Sequence, residues 1–358
     1  MKSEKRDKET GKTLAAAGVI ISMMIGAGFA SGRELMTFFA RFGERGYLGL
    51  VLAIVLLALC SWAVMDISVR MGIKGYTAFM SVVLGRRLGQ IMAVVVNIFI
   101  FVIMATMFSG FGAAYRETVG RSFTEGVAVI AVLCFVTLLF NLQGIVRVSA
   151  VLAPVLVAGG LVFGLYSAMT GAAPAFAPSA QESIINQAFI YASYNLITAV
   201  PVMVALSSTL GKRRQAMKAS AISGGIIAAL GLAFMLPMIM NLPVLSGLEL
   251  PLLSVARANG GFVQLAYIAV LFAAIFTTAI SDGFAVTEWL GASPALKRLR
   301  VPSLAVKLAV PLGAALLAHI GFSAFVDMVY PFFGYAGLFE IAAVLIYALF
   351  AKARGSVV

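Results

Sequence analysis

Thr277 and Thr278 stand side by side in the apolar run Ala273-Ala274-Ile275-Phe276-Thr277-Thr278-Ala279-Ile280-Ser281. On a helix, the Ala274 carbonyl and the two hydroxyls fall at i, i+3 and i+4 and share one face. Three hard oxygen donors on one face suit a sodium ion; the alternative is that each hydroxyl bonds back to its own helix. A second unusual run is Gly26-Ala27-Gly28-Phe29-Ala30-Ser31-Gly32-Arg33-Glu34. Its glycines each weaken a helix by about 1 kcal/mol relative to alanine. Ser31 and Glu34 also have the spacing of a capping box, a helix start within an apolar stretch. Two acids, Asp66 and Glu340, lie deep in other apolar runs. A nucleophile–base pair or a metal-ligand cluster is not evident, so the chain does not read as an enzyme and no organic cofactor is expected. Cys60 and Cys134 both sit in apolar runs, where free buried thiols are common.

The elements that must position these residues follow from composition. Of 358 residues, 62% are hydrophobic and 11% charged, against roughly 45–50% and 25% in soluble domains. Too little polar surface remains to cover a globule, so a bilayer must be the solvent. At roughly 20 residues per crossing, the apolar runs give ten helices, at about 13–40, 46–69, 88–114, 124–142, 145–169, 184–208, 215–241, 261–285, 303–320 and 323–351. The net charge of +12 fits the bias toward basic cytoplasmic loops better than a nucleic-acid groove. With both termini cytoplasmic, 20 of the 26 Lys and Arg lie inside, and only Arg33, Arg41, Arg45, Arg116, Arg121 and Arg257 outside.

The expected fold is thus an all-α integral membrane protein of two five-helix sets. An odd number per set inverts the second relative to the first, the plan of many secondary transporters. The expected divisions are a cytoplasmic tail at 1–12, repeats at 13–170 and 171–351, and a C-terminal tail at 352–358. This plan predicts breaks near the midplane in the first helix of each set. In span one, a first half-helix should end near Ile25 and a second begin between Gly28 and Ser31. The freed backbone is tolerable only where it lines a cavity or ligand; a GxxxG packing face is the alternative. In span six, Ser193, Tyr194, Asn195 and Thr198 precede Pro201, which lacks an amide hydrogen and disfavours helical angles before it. An ordinary proline kink is the alternative there.

A substrate pocket would lie between these breaks. Amides near Gly26, Ala27, Gly28, Phe29 and Ala30 suit a carboxylate. Tyr191, Ser193 and Asn195 would receive an ammonium or other polar group, with Phe29, Ile190 and Leu196 as apolar walls. Between residues 92 and 109 of span three the only polar side chains are Asn97, Thr106 and Ser109. His319 reads as an interface residue near the end of span nine.

The run from Gly26 to Glu34 resembles the signature of the YkvI-like bacterial membrane proteins, of the amino acid–polyamine–organocation superfamily, whose fold is similar to LeuT. This resemblance implies a sodium site in which carbonyls of Ser22 and Ile25 join Ala274, Thr277 and Thr278. It also implies a gate in which Arg33 pairs with Asp327, with Gln187 as a polar neighbour. Asp66 and Glu340 match acids of spans two and ten that meet beneath the substrate and share a proton; a structural hydrogen bond is the simpler alternative. A second sodium site is disfavoured, because Phe29 stands where an amide side chain would be needed. The implied activity is cation-coupled, sodium-linked transport of a small polar organic solute, an amino acid or derivative, across the bacterial cytoplasmic membrane. The rival is a nutrient-sensing receptor of the same superfamily that binds without transporting. Expected partners are the solute and the lipid bilayer, with no nucleic acid; no oligomeric state is assigned.

Overall fold

The computed structural model describes residues 2–170, 182–245 and 247–353, and every regular element among them is helical. Helix α1, Lys2–Met24, carries the polar leader and the first half of span one without interruption. The tail expected as a separate segment is thus, over residues 2–12, the beginning of a helix. At Ile25 and Gly26 the helix stops, and Gly26 is fully extended (φ −86°, ψ −166°). The chain resumes as α2, Ala27–Ser31, turns at Gly32 with φ +83°, and continues as α3, Arg33–Phe38. That left-handed angle is open to glycine at little cost. A 3₁₀ turn, Ala40–Phe42, completes the segment.

The second half-helix therefore starts at Ala27, one residue earlier than the Gly28–Ser31 interval, and the capping box does not form. Gly32 holds the cap position of α3. Ser31 Oγ instead accepts from the Arg33 amide at 3.3 Å, and the Glu34 carboxyl folds back on Gly28, where an added Cβ would lie 2.0 Å from Oε1.

The remaining helices are α4 (Arg45–Met71), α5 (Tyr76–Leu84), α6 (Arg86–Val119), α7 (Phe123–Leu138), α8 (Asn141–Thr170), α9 (Ile184–Ser207) and α10 (Arg213–Met240). After them come the short α11 (Leu242–Leu245) and α12 (Pro251–Asn259), then α13 (Gly261–Ala292), α14 (Pro294–Arg298) and α15 (Ser303–Leu317). The last span opens at α16 (Phe322–Ala324), passes through a π-helical turn at Phe325–Val329 and runs on as α17 (Tyr330–Ala353). Eight segments are long and apolar enough to cross a membrane. The broken first span and the 16-residue α7 bring the crossing segments among the described residues to ten. The junction of the two repeats at residue 171 and the tail from residue 354 lie outside the described residues.

Span six is corrected by the structure: α9 runs unbroken through Pro201. Its polar side chains are absorbed by the helix itself. Asn195 Nδ2 donates to Tyr191 O at 3.0 Å, Thr198 Oγ1 to Asn195 O at 2.9 Å, and Ser193 Oγ reaches Phe189 O at 2.7 Å. Such back-bonding tolerates a proline bend without unwinding the turn.

Helix α9 is the centre of the bundle, packed between α4 and α17, and 89% of its most apolar stretch is buried inside the protein. Helix α1 packs on α8, α10 and α13. Close approach relies on small residues: a Cβ at Gly164 of α8 would meet the Ala233 carbonyl oxygen of α10 at 2.6 Å. Gly225 of α10, by contrast, faces open space. Gly164→Ala should therefore destabilise the protein by about 1–3 kcal/mol through overpacking, whereas Gly225→Ala should stabilise it by about 0.5–1 kcal/mol. Thermal unfolding in detergent micelles should show the two midpoints moving in opposite directions.

Candidate functional site

The broken segment of span one faces α13, and its loose backbone is met there by hydroxyls. Thr277 Oγ1 lies 3.0 Å from Ser22 O, 2.8 Å from Ala273 O and 3.1 Å from Ala274 O. Thr278 Oγ1 donates to Ser22 O at 2.9 Å and Met23 O at 3.1 Å. Five oxygens thus converge from two helices: the carbonyls of Ser22, Met23 and Ala274, and two hydroxyls. The Ser22 hydroxyl is buried beside them with no hydrogen-bond partner. Met23, rather than Ile25, supplies the second carbonyl that contacts α13. Only the break itself could have signalled this, because carbonyl direction depends on where the last helical turn ends.

Other groups at the break find partners among side chains. The Ala27 amide donates to Met107 Sδ at 3.2 Å, a weak acceptor. The Ala30 carbonyl accepts from the buried Tyr267 hydroxyl. Beside the break lies a small cavity of about 20 Å³, room for roughly one water-sized particle. It is lined by Met23, Met24, Gly26, Glu34, Ile103, Met107, Tyr194, Asn195, Thr198, Thr278 and Tyr330.

Of the expected pocket residues, Gly26 and Asn195 line this cavity. The expected walls do not: Phe29 packs on Phe234 with ring centroids 5.9 Å apart, Ile190 lies against Gly334, and Leu196 is buried away from the lining. Tyr191 is wedged between Phe38 and Phe39. Ser193 fastens α9 to α17 through the Gly334 carbonyl at 2.7 Å. Ser193 is therefore committed to packing and has no free group for a solute.

Among the lining residues that the sequence reading did not place here, three were missed for identifiable reasons. Glu34 was assigned to a cap by its spacing from Ser31. Met107 is one apolar residue among many. Tyr330 precedes Pro331, a position that points to a bend and not to a pocket, yet it lines the cavity. Asp282 was also missed: it is 1% exposed, both its carboxyl oxygens lack hydrogen-bond partners, and it follows Thr278 by one helical turn.

Ion pairs bracket the cavity. On one side Arg33 makes a two-pronged contact with Asp327, through Nη2 to Oδ2 and Nε to Oδ1, and donates Nη1 to Leu248 O at 2.8 Å. The π-turn that presents Asp327 has a local cause. Pro331 has no amide hydrogen, and its ring crowds the carbonyl four residues earlier, that of Asp327, so the preceding turn widens. Gln187 is not part of this contact; it donates to Glu182 Oε2 at 2.6 Å, and Glu182 pairs with Arg41 at 2.6 Å.

Asp66 and Glu340 do not meet. Asp66 is held by Arg70, one turn along α4, and by Arg213 at the start of α10. Glu340 accepts from the Tyr76 hydroxyl at 3.0 Å. Each acid has its own partner on a different element, so no proton is shared between them. Near Arg213, Lys212 binds Glu9 at 2.6 Å and ties α1 to the start of α10.

An all-α bundle of ten crossing segments, with its first span broken against an eighth that offers hydroxyls, defines a membrane protein of the LeuT fold. The resemblance to YkvI-like proteins extends over nearly the whole chain. The sequence is 25% identical over 343 residues to the uncharacterized membrane protein YkvI of Bacillus subtilis (strain 168), covering 95% of this chain and 97% of that one. No protein-family profile matches it. Among solved structures it is similar to a Na⁺-coupled sialic acid symporter in a substrate-bound outward-open state, with a TM-score of 0.68 and 13% identity, covering 95% of this chain and 79% of that one. It is also similar to MhsT in complex with L-phenylalanine, with a TM-score of 0.69 and 13% identity, covering 93% and 88%. The first of these is by its description a symporter, a transporter and not an enzyme.

Loosening the Arg33–Asp327 contact should open the cavity from that side. A half-exposed ion pair contributes up to about 1 kcal/mol, so Asp327→Asn should speed labelling of a cysteine at Thr198→Cys by about fivefold. The free, buried Cys60 and Cys134 are replaced by alanine in the background. The check is the rate of modification by a charged thiol reagent in detergent.

Proposed function

We propose that this chain is a sodium-coupled secondary transporter of a small polar organic solute, an amino acid or close derivative, working by alternating access in the bacterial cytoplasmic membrane with both termini inside. The observation that carries this reading is the convergence of five oxygens where the first span is unwound. A monovalent hard cation prefers uncharged oxygens at close range, and carbonyls at a helix end together with hydroxyls provide them without a buried fixed charge. Thr277 already has two carbonyls of its own helix to which its proton can turn. Its lone pairs are then free for an ion held against Ser22. The ion would tie α1 to α13 and so favour one arrangement of the two sets of helices.

The neighbours in solved structures support cation coupling by analogy: one is described as Na⁺-coupled. Another holds an amino acid. With Arg33–Asp327 on one side of the cavity and Asp66–Arg213 toward the other end of the bundle, the arrangement suits a solute path closed at both ends between cycles. A carboxylate on the solute would have the Ala27 amide available, since Met107 sulfur is a weak acceptor that a charged oxygen displaces.

The test is uptake into proteoliposomes with an imposed sodium gradient. Transport of an identified solute should require sodium, and Thr277→Ala should lower the apparent sodium affinity by about tenfold or more, as expected for losing one coordinating oxygen at about 1.4 kcal/mol per tenfold. Uptake that proceeds equally in potassium and ignores the substitution would overturn the coupling. Saturable binding with no flux in any gradient would overturn transport and favour a receptor.

A further inference from the structure

We infer that Glu34 is the anchor for an ammonium group on the solute, so that the substrate class is primary amines and amino acids with a free amino group. This inference rests on the reading of the cavity as a solute site and adds the chemical group that the site selects.

Glu34 lines the cavity and is 4% exposed. Its Oε2 has no hydrogen-bond partner, and its Oε1 lies against the bare Cα of Gly28, where any side chain would collide with it. A buried carboxyl is strongly disfavoured unless something compensates it. The hydroxyls of Tyr191 and Tyr194 beside it are neutral, and the adjacent cation does not supply a counter-charge: the Arg33 guanidinium is committed to Asp327 and the Leu248 carbonyl. No Lys, Arg or His is among the lining residues. The cavity therefore offers one acid and no base, a balance suited to a solute group that is positively charged and donates hydrogen bonds.

The walls suit the same group. Tyr194 and Tyr330 both line the cavity with ring centroids 4.9 Å apart, and the Tyr194 hydroxyl lies beside the Glu34 carboxyl. Aromatic faces beside a carboxylate attract ammonium ions through the ring quadrupole. Met23, Met24 and Met107 complete the lining. Their unbranched thioethers change shape readily, which lets a cavity of water size widen around an aliphatic chain.

The span-six groups are poorer candidates for this role. Ser193 and Asn195 already use their donors on helix carbonyls, and neither carries charge. An ammonium held only by them would be desolvated without a counter-charge, whereas Glu34, which lines the cavity with Asn195, supplies one.

The experiment is a thermal-shift titration of the full chain in detergent, run in sodium and again in potassium. The probes are the standard amino acids, the primary amines obtained by removing their carboxyl groups, and the N-acetyl derivative of each. Stabilisation is expected only from probes with a free amino group. For those, Glu34→Gln, which keeps shape and removes charge, should weaken binding at least about tenfold. An N-acetyl derivative that binds as tightly as its parent would overturn the inference, as would binding to Glu34→Gln within about twofold of the unmodified chain. So would a panel in which no free amine stabilises the protein. The comparison of each amine with its N-acetyl form needs no variant, so a Glu34→Gln protein that fails to fold leaves the test intact. Amine binding that is equal in sodium and potassium would remove sodium coupling while leaving the role of Glu34 standing.

Discussion

Inside a bilayer no water is available to satisfy a free backbone group, and this constraint organises the whole protein around Ile25 and Gly26. Each carbonyl and amide released by the break must be answered by another element. Thr277 and Thr278 of α13 answer Ser22 and Met23, the Met107 sulfur answers Ala27, and Tyr267 answers Ala30. Three of these four residues come from one helix. α13 is consequently the scaffold against which the broken span is held, and its hydroxyls serve both the backbone and the candidate ion.

A second level of organisation comes from charge. In a chain where only 11% of residues are charged, most acids of the interior are tied to named partners. Asp327 takes Arg33, Asp66 takes Arg70 and Arg213, and Glu340 takes the Tyr76 hydroxyl. Glu34, Asp282 and Glu340 each retain a buried carboxyl oxygen outside any hydrogen bond, and Asp282 retains both. Of these, Glu34 lines the cavity and Asp282 lies one turn from Thr278, which also lines it.

How much of this was legible in the sequence depends on whether the signal was local. The ten segments, the break at Ile25–Gly26 and the face shared by Ala274, Thr277 and Thr278 all follow from periodicity and from glycine chemistry within one stretch of chain. The pairing of Arg33 with Asp327 came through resemblance alone. Where the reading failed, tertiary context reversed a local cue. Pro201 and its polar neighbours looked like a break, but their hydroxyls and amide satisfied their own helix. Glu34 had the spacing of a cap but turned inward once Gly32 adopted a left-handed angle. Asp66 was matched with Glu340 through resemblance, whereas it is held by Arg70, one turn along its own helix, and by Arg213, 147 residues away at the start of another. Spacing within one helix carries no information about the latter.

The π-turn at Phe325–Val329 has a consequence for rotational phase. Each residue of an α-helix advances the side-chain direction by about 100°. A wide turn that takes in one additional residue therefore rotates everything after it by about that angle relative to an uninterrupted helix. Span ten is in effect two helices sharing an axis with different rotational settings. The turn itself aims Asp327 at the rim, toward Arg33. The setting after it carries Tyr330 into the cavity and, farther along, Glu340 toward Tyr76. One proline, placed just beyond the turn, allows a single span to address two sites that a regular helix of the same sequence could not face together.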